Sequence, residues 1–508
     1  MFEKLIHTGL QLAGPKDLPN PEACIQQEKQ LRKLLKKARK TAFGQHYRFK
    51  TLLKAPDIRD AFRRDIPALS YDDFYEQWWS KARNDIPDVT WPGVVPYYAL
   101  SSGTSGASSK YIPVTKAMLK AMKKGSRRMF FNLGRYDLPA RQLRREMLMV
   151  GSSTAPSKAG LHYEGDLSGI VGLNRPRWME RYYRPGRDIT DLPEWQMRIE
   201  AIVEAAPSWD IGFVVGNPAW VQMIFERIIE RYQLAHIHQM WPHFEVYVHG
   251  GVFFEPYRAS FEPLLGKKVQ YIDSYLASEG FFAFETRPGS RTMHLQTNCG
   301  VYFEFVPFKA PFFDEDGNLQ PNAHALTLGE VKEGEDYALL ISTCAGAWRY
   351  LLGDTIRFTN VHDLEFRITG RTKQFLSVCG EHLSVDNLNE AVRQVNDELN
   401  AQIREFAVAG VPHGSLWAHQ WYISTDHANT DKNALVAALD RKLCELNDDY
   451  AIERQYALPE IKIDIIDHGV FYNWLAKRGK LNGQAKIPRV LKGNTLADWQ
   501  QHLNEALV

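Results

Sequence analysis

The sequence predicts an α/β protein in two parts: a large N-terminal part with a mostly parallel sheet and a further antiparallel or barrel-like region, then a small α+β part. Three observations lead there. Between residues 146 and 272, apolar runs of strand length alternate with segments of helical period, the rhythm of a parallel sheet with helical crossovers. Beyond Ser290 the runs become short and turn-separated, which reads as antiparallel pairing or a small barrel. After Arg371 helices and strands mix again in a third texture. That sets a boundary near Thr372-Lys373 and divides the chain into 1–371 and 372–508.

Leucines 31, 34 and 35 within 28–39 predict an amphipathic helix with a basic outer face. Its apolar stripe is narrow, so a solvated face is the better reading than a membrane-surface one. Thr115 is the N-cap expected for a helix to about Phe130, with Met118, Leu119 and Met122 inward. Residues 146–150 form a short strand, and 152–187 is rich in Gly, Pro and Arg with little periodicity. Irregular segments of that length often line sites. Strand 211–215 precedes Asn217 as N-cap and Pro218 at the first helical position. Apolar residues at 221, 224, 225, 228, 229 and 232 then give the helix a core face. Strands 244–248 and 269–272 flank a helix over about 256–265, and ligands of such a sheet belong at its carboxyl edge. The turn-rich region offers strands 294–295, 301–306, 337–342, 354–358 and 366–369. The last part holds helix 384–399, strands 405–411 and 419–424, helix 431–446, strand 460–466 and a final short helix.

Composition narrows the class. A chain of 508 residues can bury a large core and form more than one domain. With a formal net charge of +2 there is no global field for nucleic acid or an anionic membrane. The 5 cysteines (Cys24, Cys299, Cys344, Cys379, Cys444) are scattered and form no C-x-x-C pair. That suits a reducing compartment and argues against a disulfide framework or a zinc ribbon. Residues 1–6 carry an acidic group and no long apolar run, so no secretory leader is expected, and no apolar run approaches the ~18 residues of a membrane span. A cytoplasmic protein is expected.

The stretch 101–110, Ser-Ser-Gly-Thr-Ser-Gly-Ala-Ser-Ser-Lys, supplies six hydroxyls, two glycines and a terminal cation with no carboxylate. Glycines let backbone N–H groups approach an anion, and hydroxyls and lysine add donors and charge. It reads as a polyphosphate cradle, ATP first, or as a solvated Ser/Gly linker. Flanking apolar runs at 94–100 and 111–114 and the closing lysine favour the cradle. Neither a Walker loop nor a dinucleotide fingerprint can be laid on it. Further on, Glu279 ends the phrase Tyr275-Leu276-Ala277-Ser278-Glu279, where a carboxylate can hold Mg²⁺ against phosphate oxygens or be a plain surface group. Asp354 follows Gly353 at the start of a strand and suits a ribose diol, with Gly370-Arg371 one hairpin later. His236, His238, His243 and His249 match no zinc spacing. Gly-x-Ser-x-Gly is absent, which disfavours a serine hydrolase, and Cys379 reads as structural.

The order of these phrases resembles the adenylate-forming superfamily, and most closely the GH3 acyl-acid amido synthetases. The serine stretch resembles the family's first motif, Tyr275 to Glu279 its second, and Trp348 to Asp354 its third, with Leu351 where plant members carry arginine. Gly165-Asp166-Leu167-Ser168-Gly169 and 345–354 look like bacterial members, and 482–489 resembles the family's C-terminal lysine segment. The resemblance spans about 43–489. It implies a large N-terminal adenylate-forming domain with a small mobile C-terminal α+β lid. It implies that Ser101, Ser102, Gly103, Thr104, Ser105 and Lys110 grip the triphosphate of ATP, and that Glu279 ligates Mg²⁺. Tyr275 would stack near adenine with Ser278 also on the nucleotide, Asp354 would hold the ribose with support from Arg371, and Lys486 would swing in with the lid to bind the reacting phosphate or acyl adenylate. The implied activity joins a small carboxylic acid to an amine, an amino acid above all, in a monomer. An acyl-CoA ligase and a catalytically silent binding protein are the alternatives. The acid pocket is expected from 152–187, 217–225 and 250–254, with Trp178 and Phe253 as its test positions.

Overall fold

The computed structural model describes residues 19–506 apart from 102–109, 137, 152–155, 176, 193, 252–253, 315–316, 322, 374, 377, 379–380, 382, 414–415, 427–430, 448–449, 452, 455–457 and 482–485. Its centre is an 11-stranded sheet. From one edge the strands run Tyr183–Arg184, Glu146–Val150, Ile211–Gly216, Val246–Gly250 and Gln270–Ala277, all parallel. The hairpin from Gln270–Ala277 into Gly280–Phe284 reverses the chain. Met293–Leu295, Glu365–Arg371, Tyr350–Asn360, Asp336–Thr343 and Val301–Pro307 then extend the same sheet antiparallel. The turn-rich region is therefore the other half of one sheet rather than a separate barrel. After that reversing hairpin the chain crosses to the far edge at Val301–Pro307 and returns strand by strand until Glu365–Arg371 pairs with Met293–Leu295.

A four-stranded sheet stands beside it, in the order Lys110–Val114, Tyr97–Ser101, His162–Gly165, Ser157–Ala159. Two of those strands fall in the segment read as irregular, which also holds the helix Leu167–Leu173. Elements this short carry too few periods to be seen as apolar alternation. Helix Lys116–Asn132 starts where expected, with Thr115 Oγ1 accepting the Met118 N–H at 3.1 Å. Its Gly125 lets the helix settle on the central sheet, since a β-carbon there would come within 2.6 Å of the Phe281 ring. Asn217 and Pro218 open the helix Pro218–Tyr232 as the sequence indicates.

The helix Asn20–Ala38 is a core element. Leu31, Leu34, Leu35 and Ala38 are buried in the main apolar cluster. Gln27, also buried, donates to the carbonyls of Thr297 and Val301, pinning the helix to the antiparallel half. No described helix is long and apolar enough to cross a membrane. The smaller C-terminal domain has a three-stranded sheet of Ile403–His413, Leu416–Thr425 and Glu460–Ile465. Helices Val385–Leu399 and Lys432–Leu446 cover one face through Leu388, Val392, Val395, Leu435 and Leu439. Two terminal helices, His468–Lys477 and Gly493–Ala506, stand where the sequence suggested one, and they pack around Trp474 and Trp499.

Candidate active site

The serine stretch closes a hairpin. Tyr97–Ser101 pairs antiparallel with Lys110–Val114, and Ser101 lies opposite Lys110. Ser102, Gly103, Thr104 and Ser105 lie outside the described residues, as does the Ser101 side chain. Lys110 Nζ sits 5.0 Å from the centre of the Tyr71 ring, a cation–π distance. The Tyr71 hydroxyl accepts the Tyr111 N–H at 2.7 Å, so one tyrosine both braces the strand and receives the lysine. Burial lowers the pKa of Lys110, and the Glu279 carboxylate draws it back up. Nothing in the spacing of the chain points to Tyr71.

Glu279 occupies the two-residue turn after Gln270–Ala277, with Ser278 half-buried beside it. It is 8% exposed. Burial raises its pKa, opposed by Lys110. The Tyr350 hydroxyl donates to its Oε1 at 3.4 Å. Among the described residues no three His, Cys, Asp or Glu side chains cluster as metal ligands. A single buried carboxylate with free lone pairs facing a lysine fits a Mg²⁺ held mainly by phosphate oxygens.

Asp354 lies within the strand Tyr350–Asn360 rather than at its start. Register sets its surroundings: Asp354 is directly opposite Arg371 in the neighbouring strand. The Arg371 Nε donates to Asp354 Oδ1 at 2.7 Å, and the Tyr275 hydroxyl donates to Oδ2. Asp354 holds the Arg371 guanidinium in its charged form, pushing that pKa further up. The Tyr275 ring meets Phe282 edge-on with centroids 5.0 Å apart, so this tyrosine is a buried support for Asp354. Leu351 packs into the cluster of Val306, Phe313, Ala325, Ala338 and Leu340.

Lys486 comes from the C-terminal domain and reaches the large domain at Gly251. A β-carbon on Gly251, whose φ is +85°, would lie 3.3 Å from Lys486 Cε and 3.4 Å from Nζ. Solvent still reaches Lys486. Desolvation in the cleft, with Arg371 next in effect, pushes its pKa down to about 8, while Asp354 pulls the other way. The fall marks crowding at the cleft wall rather than full burial. Lys110, Glu279, Asp354, Arg371 and Lys486 thus share one electrostatic neighbourhood, although they come from five separate stretches.

Family models for the GH3 family N-terminal, central and C-terminal domains match residues 20–191, 294–371 and 386–495. The chain belongs to the GH3 family. An indole-3-acetic acid-amido synthetase of Arabidopsis thaliana is 25% identical over 236 residues, 42% of this chain and 38% of that protein. A jasmonoyl–L-amino acid synthetase of Oryza sativa subsp. japonica is 25% identical over 270 residues, 49% and 46% of the two chains. The matches thus span less than half the length of these curated relatives. In fold, this GH3 chain resembles an acyl acid amido synthetase solved with 2,4-DB, at TM-score 0.76 and 17% identity over 94% and 93% of the chains. It also resembles a 2-hydroxyisobutyryl-CoA ligase in its postadenylation state, at TM-score 0.58 and 15% identity over 94% and 91%.

The remaining sequence candidates have separate fates. His238 bridges the Phe244 carbonyl at 2.9 Å and the Gly266 N–H at 3.0 Å. His243 meets Asp210 at 2.8 Å, and His249 lies buried on the Phe254 ring. Cys379, Phe253 and the Trp178 side chain lie outside the described residues. The clearest omission is Arg349, inside the third motif. Its guanidinium spans both oxygens of buried Glu304 at 3.1 and 3.0 Å and the carbonyls of Arg63 and Ile66 at 2.9 and 2.6 Å.

Proposed function

We propose that this GH3 chain is an ATP-dependent acyl-acid amido synthetase. It turns a carboxylic acid into its acyl-adenylate with release of pyrophosphate and passes the acyl group to an amine, an amino acid first. The observation that carries this reading is that Lys110, Glu279, Asp354, Arg371 and Lys486 share one electrostatic neighbourhood in a chain of this family. Relatives named for amides of indole-3-acetic acid and for jasmonoyl–amino acids supply the product class.

The residues suit the chemistry. A carboxylate approaching the α-phosphorus brings two anions together, so rate depends on positioning and charge neutralisation. Asp354 has one oxygen held by Arg371 and the other by Tyr275, which leaves lone pairs for the ribose hydroxyls. Lys110 and residues 101–105 would hold the triphosphate. Glu279 would hold Mg²⁺, which supplies charge neutralisation across phosphate oxygens when bound. Lys486 would bring its cation to the reacting phosphate, carried by 372–508 as a lid hinged near Thr372-Lys373. In the second half-reaction the amine attacks the acyl carbonyl, the bond to AMP breaks, AMP leaves with its electron pair, and the amine gives up a proton. The same reading makes the protein a cytoplasmic monomer acting on small molecules.

ATP–pyrophosphate exchange across a panel of carboxylic acids tests the first half. Amino acids or coenzyme A added to the activated acid then separate amide from thioester formation. Failure of every acid to support exchange would reduce the protein to a silent binder, and thioester as the sole product would make it an acyl-CoA ligase.

A further inference from the structure

Residues 486–488 lie in neither helix nor strand. The chain is tied down three residues after Lys486, where the Val408 N–H donates to the Arg489 carbonyl at 2.8 Å and the Leu491 N–H donates to the Val408 carbonyl at 2.8 Å. The Arg489 side chain continues inward. It donates to Glu405 Oε2 at 2.8 Å and to the Phe406 carbonyl at 2.9 Å, with its guanidinium 4.3 Å from the centre of the Phe406 ring. Glu405 is only 2% exposed. It accepts two more hydrogen bonds, from the Tyr472 hydroxyl at 3.1 Å and from the Tyr257 hydroxyl at 2.8 Å. Tyr472 belongs to the C-terminal domain; Tyr257 belongs to the large one, on the helix Glu255–Phe261.

Two contacts therefore join the same two short segments. Gly251 meets Lys486, and six residues further on Tyr257 meets the Glu405–Arg489 pair. Two points of contact leave only rotation about the line that joins them, where one would leave a free pivot. The chemistry of the second point also suits a joint that opens. Arg489 neutralises Glu405 within the C-terminal domain, so parting from Tyr257 leaves no buried charge uncompensated. Burial pushes the Tyr257 phenol far above its ordinary pKa, so it remains a neutral donor. The salt bridge of Arg404 with Glu226 and that of Arg367 with Asp386 also cross between the domains, but with more exposed partners.

We propose that Tyr257, Glu405 and Arg489 are positioning residues: their buried contact sets the C-terminal domain so that Lys486 reaches the site during acid activation, and it releases for amide formation. The inference rests on the two-step reaction proposed above. Tyr257→Phe keeps the ring and the fold while deleting the inter-domain hydrogen bond. Tyr472→Phe is the control, because it deletes a hydrogen bond to the same carboxylate from within one domain.

Tyr257→Phe is expected to slow ATP–pyrophosphate exchange about tenfold or more, the effect of losing a hydrogen bond to a charged group. Amide formation from supplied acyl-adenylate should stay near the wild-type rate. Solution scattering of the substrate-free variant should show a more extended particle than wild type, and Tyr472→Phe should match wild type in all three measurements. Equal loss in both half-reactions, an equal effect of Tyr472→Phe, or a Tyr257→Phe variant indistinguishable from wild type would each overturn the proposal. If wild type itself shows no exchange, the functional reading fails, while the scattering comparison still decides whether Tyr257 holds the domains together.

Discussion

Lys110 stands at the foot of the hairpin with its ammonium over Tyr71 and within the field of Glu279. Substituting alanine removes the cation and little apolar packing. Lys110→Ala should lower pyrophosphate exchange by about 100-fold or more, as when one transition-state donor is lost, with an unchanged thermal melt. Asp354→Asn should raise the KM for ATP about tenfold, because Arg371 and Tyr275 lose their ionic acceptor. For Lys486 the sign of the pH effect follows from a depressed pKa. The side chain is cationic below about 8 and neutral above it. The rate at subsaturating ATP, which reports the free enzyme, should therefore fall as pH rises through that value. Lys486→Arg should shift the fall to higher pH, and a profile that does not move would remove Lys486 from the proton balance.

Strands and turns explain how these side chains come to be where they are. Glu279 is presented by a two-residue turn, Asp354 and Arg371 by the register of two adjacent strands, and Lys110 by the arm of a hairpin. Behind the third motif, Arg349 adopts a left-handed backbone with φ of 44° and joins Glu304 to the carbonyls of Arg63 and Ile66 at the end of the helix Ile58–Asp65. This buried ion pair ties the strand carrying Tyr350 and Asp354 to the N-terminal helices. Glu304→Gln strands the guanidinium in the core. It should cost roughly 3–5 kcal/mol of stability, the range for breaking a buried pair, measured by denaturant unfolding.

Between the domains, Gly251 is one point of close approach. Its φ of +85° disfavours any side chain, and a β-carbon would press on Lys486. Gly251→Ala should thus hinder seating of the C-terminal domain, slowing acid activation more than amide formation from supplied acyl-adenylate. Equal slowing of the two would point to simple loss of folding. The apolar side of this contact is carried by Tyr472, which meets Trp220 with ring centroids 5.7 Å apart. This part of the domain contact is therefore aromatic and hydrogen-bonded, built around the buried carboxylate of Glu405.

Local chemistry was enough to read much of this protein. Helix starts at Thr115 and Asn217 follow from capping residues, and the parallel strands from apolar runs. Those signals act over a few residues, so they survive in one dimension. The continuity of the sheet, the pairing of Arg371 with Asp354, the tyrosine under Lys110 and the anchoring of Arg349 by Glu304 did not show. Each depends on residues tens to hundreds of positions apart, brought together by strand register and burial. Arg489 is the plainest case: it lies three residues from a lysine singled out by sequence, yet only folding sets it against a carboxylate that a tyrosine of the other domain also holds.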